Sequence, residues 1–359
     1  MTMLTHIVDA LRRNPYPLYS VMRRTAPVVR IKQGVWACFD YDSVKRALHD
    51  PGTFSSRAAP PSGSPLDWLI FMDPPRHTRL RAIISRTFTP RTIAGLEPKI
   101  DGIVDRLLSP ALAAGGFDLV TEFADRIPLL VICEMMGMPL ADAPVVTRWS
   151  SAIMGLGDLI VGGEVAARAS RAYAAAKAEM LPYLDTLLAE RALEPREDLL
   201  TRLVMADVDG EHLSRQEIFG FFQLLLLAGT ETTTNLIANS VLCLMDHPTQ
   251  LAQLRADPGM LPAAIEEVLR FRTPVQMVFR STTKDVQLGR KTIPAGNLLL
   301  TMVGSANRDA RHFASPHRFD IAREAQPHVA FGYGAHFCIG SADARFVGAA
   351  EGHQRAWAA

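Results

Sequence analysis

Cysteine, net charge and long apolar runs are all scarce in this sequence. Only four cysteines occur in 359 residues, at Cys38, Cys133, Cys243 and Cys338. They form no C-x-x-C pair, which excludes a zinc knuckle or a thioredoxin-type site. They are also too sparse for a disulfide framework, so a reducing, cytoplasmic setting is expected. The 38 basic and 37 acidic side chains nearly cancel to a formal charge of +1, and no global pull toward nucleic acid or an anionic membrane follows. The opening stretch MTMLTHIVDALRRNPYP lacks the apolar core of a signal peptide. The best candidate for a membrane span, Phe219 to Met245, is interrupted by Gln223, Glu231, Thr232, Asn235 and Asn239. Its longest apolar run, Leu224 to Gly229, falls far short of the ~20 residues a span needs, so a buried core helix and no membrane anchor are expected. No fixed-period repeat or low-complexity linker divides the chain. The Pro/Gly/Ser-rich stretch Ala58–Pro65 reads as a loop, and one domain over residues 1–359 is expected.

What the chain does have is apolar mass. Apolar residues make up 48% and charged residues 21%, the balance of a protein with a large core. Helical periodicity runs from about Asp9 to Arg272, broken by Val28–Phe39, which reads as a hairpin turning near Gly34. Gly155–Gly163 reads as a flexible connection before an Ala-rich helix near Glu164–Arg191. The clearest helix starts at Ser214, where Ser214 and Glu217 form an S-x-x-E capping box before an apolar run; His247-Pro248 stops it. Another helix opens near Pro262, a favoured first-turn residue, and runs to about Arg272. From Met277 the pattern changes to short strands with turns at Leu288-Gly289 and Pro294-Ala295-Gly296. The fold class is mainly α with a small, late β part.

Three clusters carry chemistry. Phe331–Gly340 reads FGYGAHFCIG, with Gly332, Gly334 and Gly340 flanking His336 and Cys338. Glycines permit left-handed turns and close backbone approach to a flat ligand; backbone amides near a cysteine keep its thiolate ionised. Read by itself, the string is also what a glycine-rich turn with a buried thiol looks like. The second cluster, Ala228-Gly229-Thr230-Glu231-Thr232-Thr233, sits mid-helix. A glutamate there is costly unless it has a partner or a task, and the group marks either a kink or a groove for something small. The third, Glu267-Val268-Leu269-Arg270, pairs an acid and a base on one helix face; Glu266 is an alternative partner for Arg270.

The first string matches F-G-x-G-x-H-x-C-x-G at every fixed position and so resembles the haem-ligand loop of the cytochrome P450 family. The resemblance implies that Cys338 is the axial thiolate on the iron of haem b, pushing electron density toward O–O cleavage. Phe331 would pack beside the sulfur, Gly332 and Gly340 would shape the loop, and His336 would reach a haem propionate. The mid-helix cluster resembles the family's A-G-x-[ED]-T segment. Glu231 and Thr232 would then be the acid–alcohol pair, with Thr232 holding the oxygen intermediate and a water and Glu231 relaying protons. Ala228 and Gly229 would leave room for dioxygen above the iron. Glu267 and Arg270 resemble the structural E-x-x-R, with Arg318 of Pro316-His317-Arg318-Phe319 as third partner. His77 and Arg81, at i and i+4, resemble the H-x-x-x-R that binds propionates, and Arg280 matches another propionate ligand. The resemblance runs from about Asn14 to Gly340.

The sequence departs from the family pattern after the cysteine. Asp343 stands where an apolar residue is usual and Val347 where an acid is usual, and the rest, GAAEGHQRAWAA, has no apolar stripe. A cytochrome P450 fold lacking its usual C-terminal segment is therefore expected, with an atypical tail at 341–359. The implied activity is an O2-dependent monooxygenase acting on an apolar organic substrate. With no flavin or reductase domain in the sequence, electrons would come from a separate ferredoxin and ferredoxin reductase. A peroxygenase using H2O2 and a non-catalytic haem-binding remnant are the alternatives. The expected walls of a substrate pocket are Arg57–Ile70, Gly155–Gly163 and Pro274–Met277.

Overall fold

The computed structural model describes residues 13–57, 68–88, 95–160, 162–208 and 210–350. The start of the first helical stretch, the loop Ala58–Pro65 and most of the expected wall Arg57–Ile70 lie outside them, as does the tail beyond residue 350. In chain order the main elements are α1 (Tyr16–Thr25), β1 (Val28–Lys32), β2 (Val35–Cys38), α2 (Tyr41–His49), β3 (Phe54–Ser55), α3 (Arg76–Ser85), α4 (Glu97–Ala113), α5 (Arg126–Met136), α6 (Ala143–Met154), α7 (Gly163–Leu193), α8 (Leu199–Val204), β4 (Asp207–Val208) and β5 (Glu211–His212). They continue with α9 (Arg215–Asp246), α10 (Pro248–Ala256), α11 (Leu261–Phe271), β6 (Val278–Thr282), β7 (Val286–Leu288), β8 (Lys291–Ile293), β9 (Leu298–Thr301), α12 (Val303–Ala306) and α13 (Ser341–Ala350). The mainly α class with a small β part is borne out, but the main sheet is not confined to the late chain, since β1, β2 and β3 join it from the first 55 residues. The chain gathers into two compact units, residues 1–57 with 239–338, and 58–238 with 339–359.

The first unit is built on a five-stranded sheet of order β1-β2-β9-β6-β3. The hairpin β1–β2 turns at Gly34, whose φ of +72° is cheap only for glycine. Strand β9 pairs parallel with β2 and antiparallel with β6, placing Leu299 beside Trp36 and Arg280. Trp36, Phe54, Leu299, Phe313 and Val329 belong to the core of this unit. Behind it stands a buried ion cluster. Arg270 donates to both oxygens of Glu267, from Nε at 2.7 Å and Nη2 at 2.8 Å. The third arginine is not Arg318, as the P-x-R-F turn led one to expect. Arg323 donates from Nε to both carboxylate oxygens of Glu267 (3.2 and 3.1 Å). Arg318 contributes only its backbone carbonyl to Arg270 and Arg323, while its exposed guanidinium lies 3.5 Å from Asp320. Four residues separate the two arginines, and the turn between them decides which one points inward. Glu266, the alternative partner, faces His328 instead.

The second unit is helical apart from the small hairpin β4–β5. Its core includes Ile83, Ile103, Ile127, Met136, Ile153, Met180 and Phe222. The capping box that opens α9 is formed in full: Glu217 accepts from the Ser214 amide at 2.9 Å, and Ser214 Oγ accepts from the Glu217 amide at 3.2 Å. At 1.5 Å per residue the 32 residues of α9 span about 48 Å. Gly155–Gly163 is more ordered than expected, with a 3-10 helix over Gly155–Ile160 and left-handed glycines at 162 and 163. After the cysteine loop the chain forms α13, which packs against α4, and Val347 is buried in the core of this unit. Among the described residues no helix is long and apolar enough to cross a membrane.

Candidate functional site

Cys338 closes a tight glycine turn. Gly332 and Gly334 hold φ of +74° and +73°, the left-handed region where an L side chain is strained. Gly334 has a second reason to be glycine. A Cβ there would fall 3.0 Å from His49 Cα and 3.1 Å from the Leu48 carbonyl, both backbone atoms of α2. The loop is stitched by Gly332 N–H donating to Val329 O, Phe337 N–H to Gly334 O and Cys338 N–H to Phe331 O, at 3.0, 3.0 and 2.9 Å. Val329 N–H in turn donates to Oδ1 of the fully buried Asn307 at 2.8 Å, fixing the base of the loop. Gly340 opens α13, its carbonyl accepting the Ala344 amide at 2.9 Å. The Phe331 ring lies 6.3 Å from that of Phe337, centroid to centroid.

The four thiols are not equivalent, and none is in a disulfide. Cys38, Cys133 and Cys243 are buried, and burial pushes the thiols of Cys133 and Cys243 up to about 12 and that of Cys38 higher still. Such thiols are inert. Cys338 alone is half-buried, at the tip of a turn built for close approach.

The cationic candidates are found on ordered elements. In the first unit, Arg280 is nearly buried on β6 and its Nη1 donates to Phe279 O at 2.8 Å. His336 Nε2 shares a 3.0 Å hydrogen bond with Ser56 Oγ. In the second unit, His77 and Arg81 lie one turn apart on α3, His77 buried and Arg81 half-buried.

On α9 the segment around Glu231 departs from the surrounding burial. Phe222, Leu224 and Leu226 before it and Thr233, Thr234 and Leu236 after it are buried. Ala228 and Glu231 are exposed and Thr232 is half-buried, so one face of a core helix is open at mid-span. The carboxylate anticipated as a buried cost is therefore not buried. Thr232 Oγ1 donates to the Ala228 carbonyl at 2.6 Å, which leaves its lone pairs as acceptors. A Cβ on Gly229 would meet Ile132 Cδ1 of α5, the far end of a flexible side chain, at 2.9 Å, and Ala228 is the small residue on the open side.

These residues suit haem. No cluster of three or more His, Cys, Asp or Glu among the described residues could hold a metal ion by itself. A lone accessible thiol suits the iron of a macrocycle, which would need only one ligand from the protein. Histidine and arginine suit carboxylate side groups.

Comparison with known proteins agrees. The family model described as Cytochrome P450 matches residues 159–346. The vitamin D(3) 25-hydroxylase of Pseudonocardia autotrophica is 39% identical over 350 residues, covering 94% of this chain and 84% of that protein. The cytochrome P450 monooxygenase PikC of Streptomyces venezuelae is 39% identical over 348 residues, covering 92% and 80%. The crystal structure of CYP109E1 from Bacillus megaterium in complex with testosterone superposes with a TM-score of 0.85 at 36% identity, covering 94% of this chain and 89% of that one. Members of the family bind haem through a cysteine thiolate and work as monooxygenases. A model matched over more than half the sequence, and relatives this similar across nearly all of it, place the chain in the cytochrome P450 family.

Proposed function

We propose that the chain is a single cytochrome P450 domain in which Cys338 is the haem ligand and Glu231 and Thr232 handle protons during O2-dependent oxygenation of an apolar substrate. The carrying observation is that Cys338 alone among the four cysteines is half-buried, at the end of a turn held by two left-handed glycines. Bound haem supplies the iron at which dioxygen is cleaved with electrons brought from outside, and a thiolate ligand favours that cleavage. Phe331, Gly332 and Gly340 shape the ligand loop. His77, Arg81, Arg280 and His336 are the propionate ligands in this reading, each able to donate charge-assisted hydrogen bonds to carboxylate.

On α9 the hydroxyl proton of Thr232 is held by Ala228 O, so the oxygen atom accepts a hydrogen bond from a water on the open face. Glu231, exposed beside it, exchanges protons with solvent and passes them to that water. Ala228 leaves space on the same face. Leu225, half-buried one turn before Ala228, gives the substrate apolar surface on this helix. A separate ferredoxin and its reductase deliver the electrons, in the cytoplasm.

The test begins with the reduced, carbon monoxide-treated protein, which should show the absorption band peculiar to thiolate-bound ferrous haem. Cys338→Ala should lose that band. Its persistence in the variant would sink the assignment. A panel of steroids, fatty acids, terpenes and small aromatics, scored by the shift each causes in the ferric spectrum, then identifies the substrate class. Turnover of the best binder must require ferredoxin, reductase and O2; turnover with peroxide alone would replace the monooxygenase reading by a peroxygenase.

A further inference from the structure

Helix α9 carries two threonines bonded back to their own helix, Thr232 on its open face and Thr230 on the buried side. Thr232 donates to Ala228 O at 2.6 Å, and Thr230 donates to Leu226 O at 2.5 Å. Such bonds to the i−4 carbonyl compete with the helix ladder and bend helices. A turn carrying two of them needs a further contact to hold one geometry. That contact comes from another element. Ser150, buried on α6 among the core residues Val146, Trp149 and Ile153, places its Oγ 3.1 Å from Thr230 Oγ1 and 3.3 Å from Leu226 O. Leu226 O is the other acceptor for both hydroxyls, so one of the pair donates to it and the other donates across the Ser150–Thr230 contact. On the neighbouring position, Ile132 of α5 lies where a Cβ on Gly229 would come within 2.9 Å of its Cδ1. The turn Leu226–Thr232 is thus gripped by one steric and one hydrogen-bonded contact, from two different helices.

An alanine would fill the same place on α6 without bringing a hydroxyl into an apolar core, where an unbonded one is costly. Stability alone gives little reason for a serine at 150. We infer that Ser150 is a positioning residue for oxygenation. It fixes the turn so that Ala228 O keeps the Thr232 proton and the Thr232 lone pairs stay on the open face. This rests on the reading of Glu231 and Thr232 as the proton-handling pair.

The test uses the haem-loaded protein and three variants. Ser150→Ala should keep its haem content and carbon monoxide band. Amide exchange in the peptide covering residues 224–234 should quicken about two- to tenfold, the equivalent of one net hydrogen bond, with no matching change elsewhere. With ferredoxin, reductase, NADH and the best binder from the compound panel, peroxide released per NADH should rise by about the same factor, while the affinity read from the spectral shift stays put. Ser150→Thr, which keeps the hydroxyl, should restore both readings. Thr230→Val removes the middle of the chain without altering α6. It should reproduce the effect, and adding Ser150→Ala to it should make nothing worse. Wild-type exchange and peroxide ratio in both single variants would overturn the inference, as would exchange quickened equally across the whole protein. Thr232→Ala separates the two claims. If it raises the peroxide ratio and Ser150→Ala does not, only the role of Ser150 falls. If Thr232→Ala leaves the ratio unchanged, the proton-handling reading fails and Ser150 has nothing to position.

Discussion

Two glycines with the same backbone conformation offer a controlled experiment on the ligand loop. Gly332 and Gly334 have φ of +74° and +73°, so an alanine at either site meets the same left-handed penalty of about 1–2 kcal/mol. Their surroundings differ. At Gly332 the nearest atom to an added Cβ is His336 O at 3.4 Å, an ordinary contact. At Gly334 it is His49 Cα at 3.0 Å, with Leu48 O at 3.1 Å, and neither can move without moving α2. Overpacking of this kind adds about 1–3 kcal/mol, making Gly334→Ala worth roughly 2–5 kcal/mol in all. For a chain of 359 residues, 1 kcal/mol corresponds to roughly 1.3 °C of melting temperature. Gly334→Ala should therefore melt about 3–7 °C below wild type and Gly332→Ala about 1–3 °C below it. Differential scanning calorimetry of the haem-loaded proteins measures this, and the carbon monoxide band reports whether the thiolate stays in place. Equal melting temperatures for the two variants would refute the claim that close approach to α2, and not backbone conformation alone, demands glycine at 334.

Two further outcomes follow from buried charge and buried thiols. Arg323→Ala leaves the Glu267 carboxylate with one arginine in place of two and should cost about 3 kcal/mol in urea denaturation, whereas Arg318→Ala, on an exposed side chain, should stay within about 0.5 kcal/mol; the reverse order would restore Arg318 as the third partner. Cys38, Cys133 and Cys243 are held protonated by burial but ionise near 8.5 when unfolded. Their contribution is complete below the unfolded value and declines as pH rises toward the folded ones, so between about pH 8.5 and 10 stability should fall by up to roughly 4 kcal/mol per pH unit. A Cys38→Ala, Cys133→Ala, Cys243→Ala triple variant should show a much flatter alkaline limb, and an unchanged slope would mean that other groups control it.

Much of this was written in the sequence, and the exceptions share a cause. The hairpin at Gly34, the long helix from its Ser214–Glu217 box to His247, and the late strands were legible because each is set by neighbours in the chain: a glycine at a left-handed turn, a cap, an alternation. The cysteine loop was legible as a glycine turn for the same reason, and only its match to a family motif pointed to a haem ligand. Arg323 was missed because Arg318 and Arg323 flank one turn, and only the folded turn tells which guanidinium reaches Glu267. Ser150 was invisible because a lone serine in an amphipathic helix carries no spacing signal; its partner lies 80 residues away.

Helix α9 shows how packing separates structural polarity from functional polarity within one element. Its polar residues broke the apolar run and argued against a membrane span, yet they are not alike. Gln223 accepts from Trp68 Nε1 at 3.2 Å and donates to Tyr173 Oη at 2.9 Å. Thr230 is held by Ser150, and Thr234 donates to Ala124 O at 3.2 Å. Each of these three is buried and bonded to a different neighbouring element, as a polar group in a core must be, and together they fix the helix against its surroundings. Glu231 is exposed and Thr232 half-buried, on the face that those anchors leave open. A polar side chain that the core neither satisfies nor needs is a poor investment in stability. In the proposed function, that position, midway along a helix anchored on its other sides, is where protons are handled.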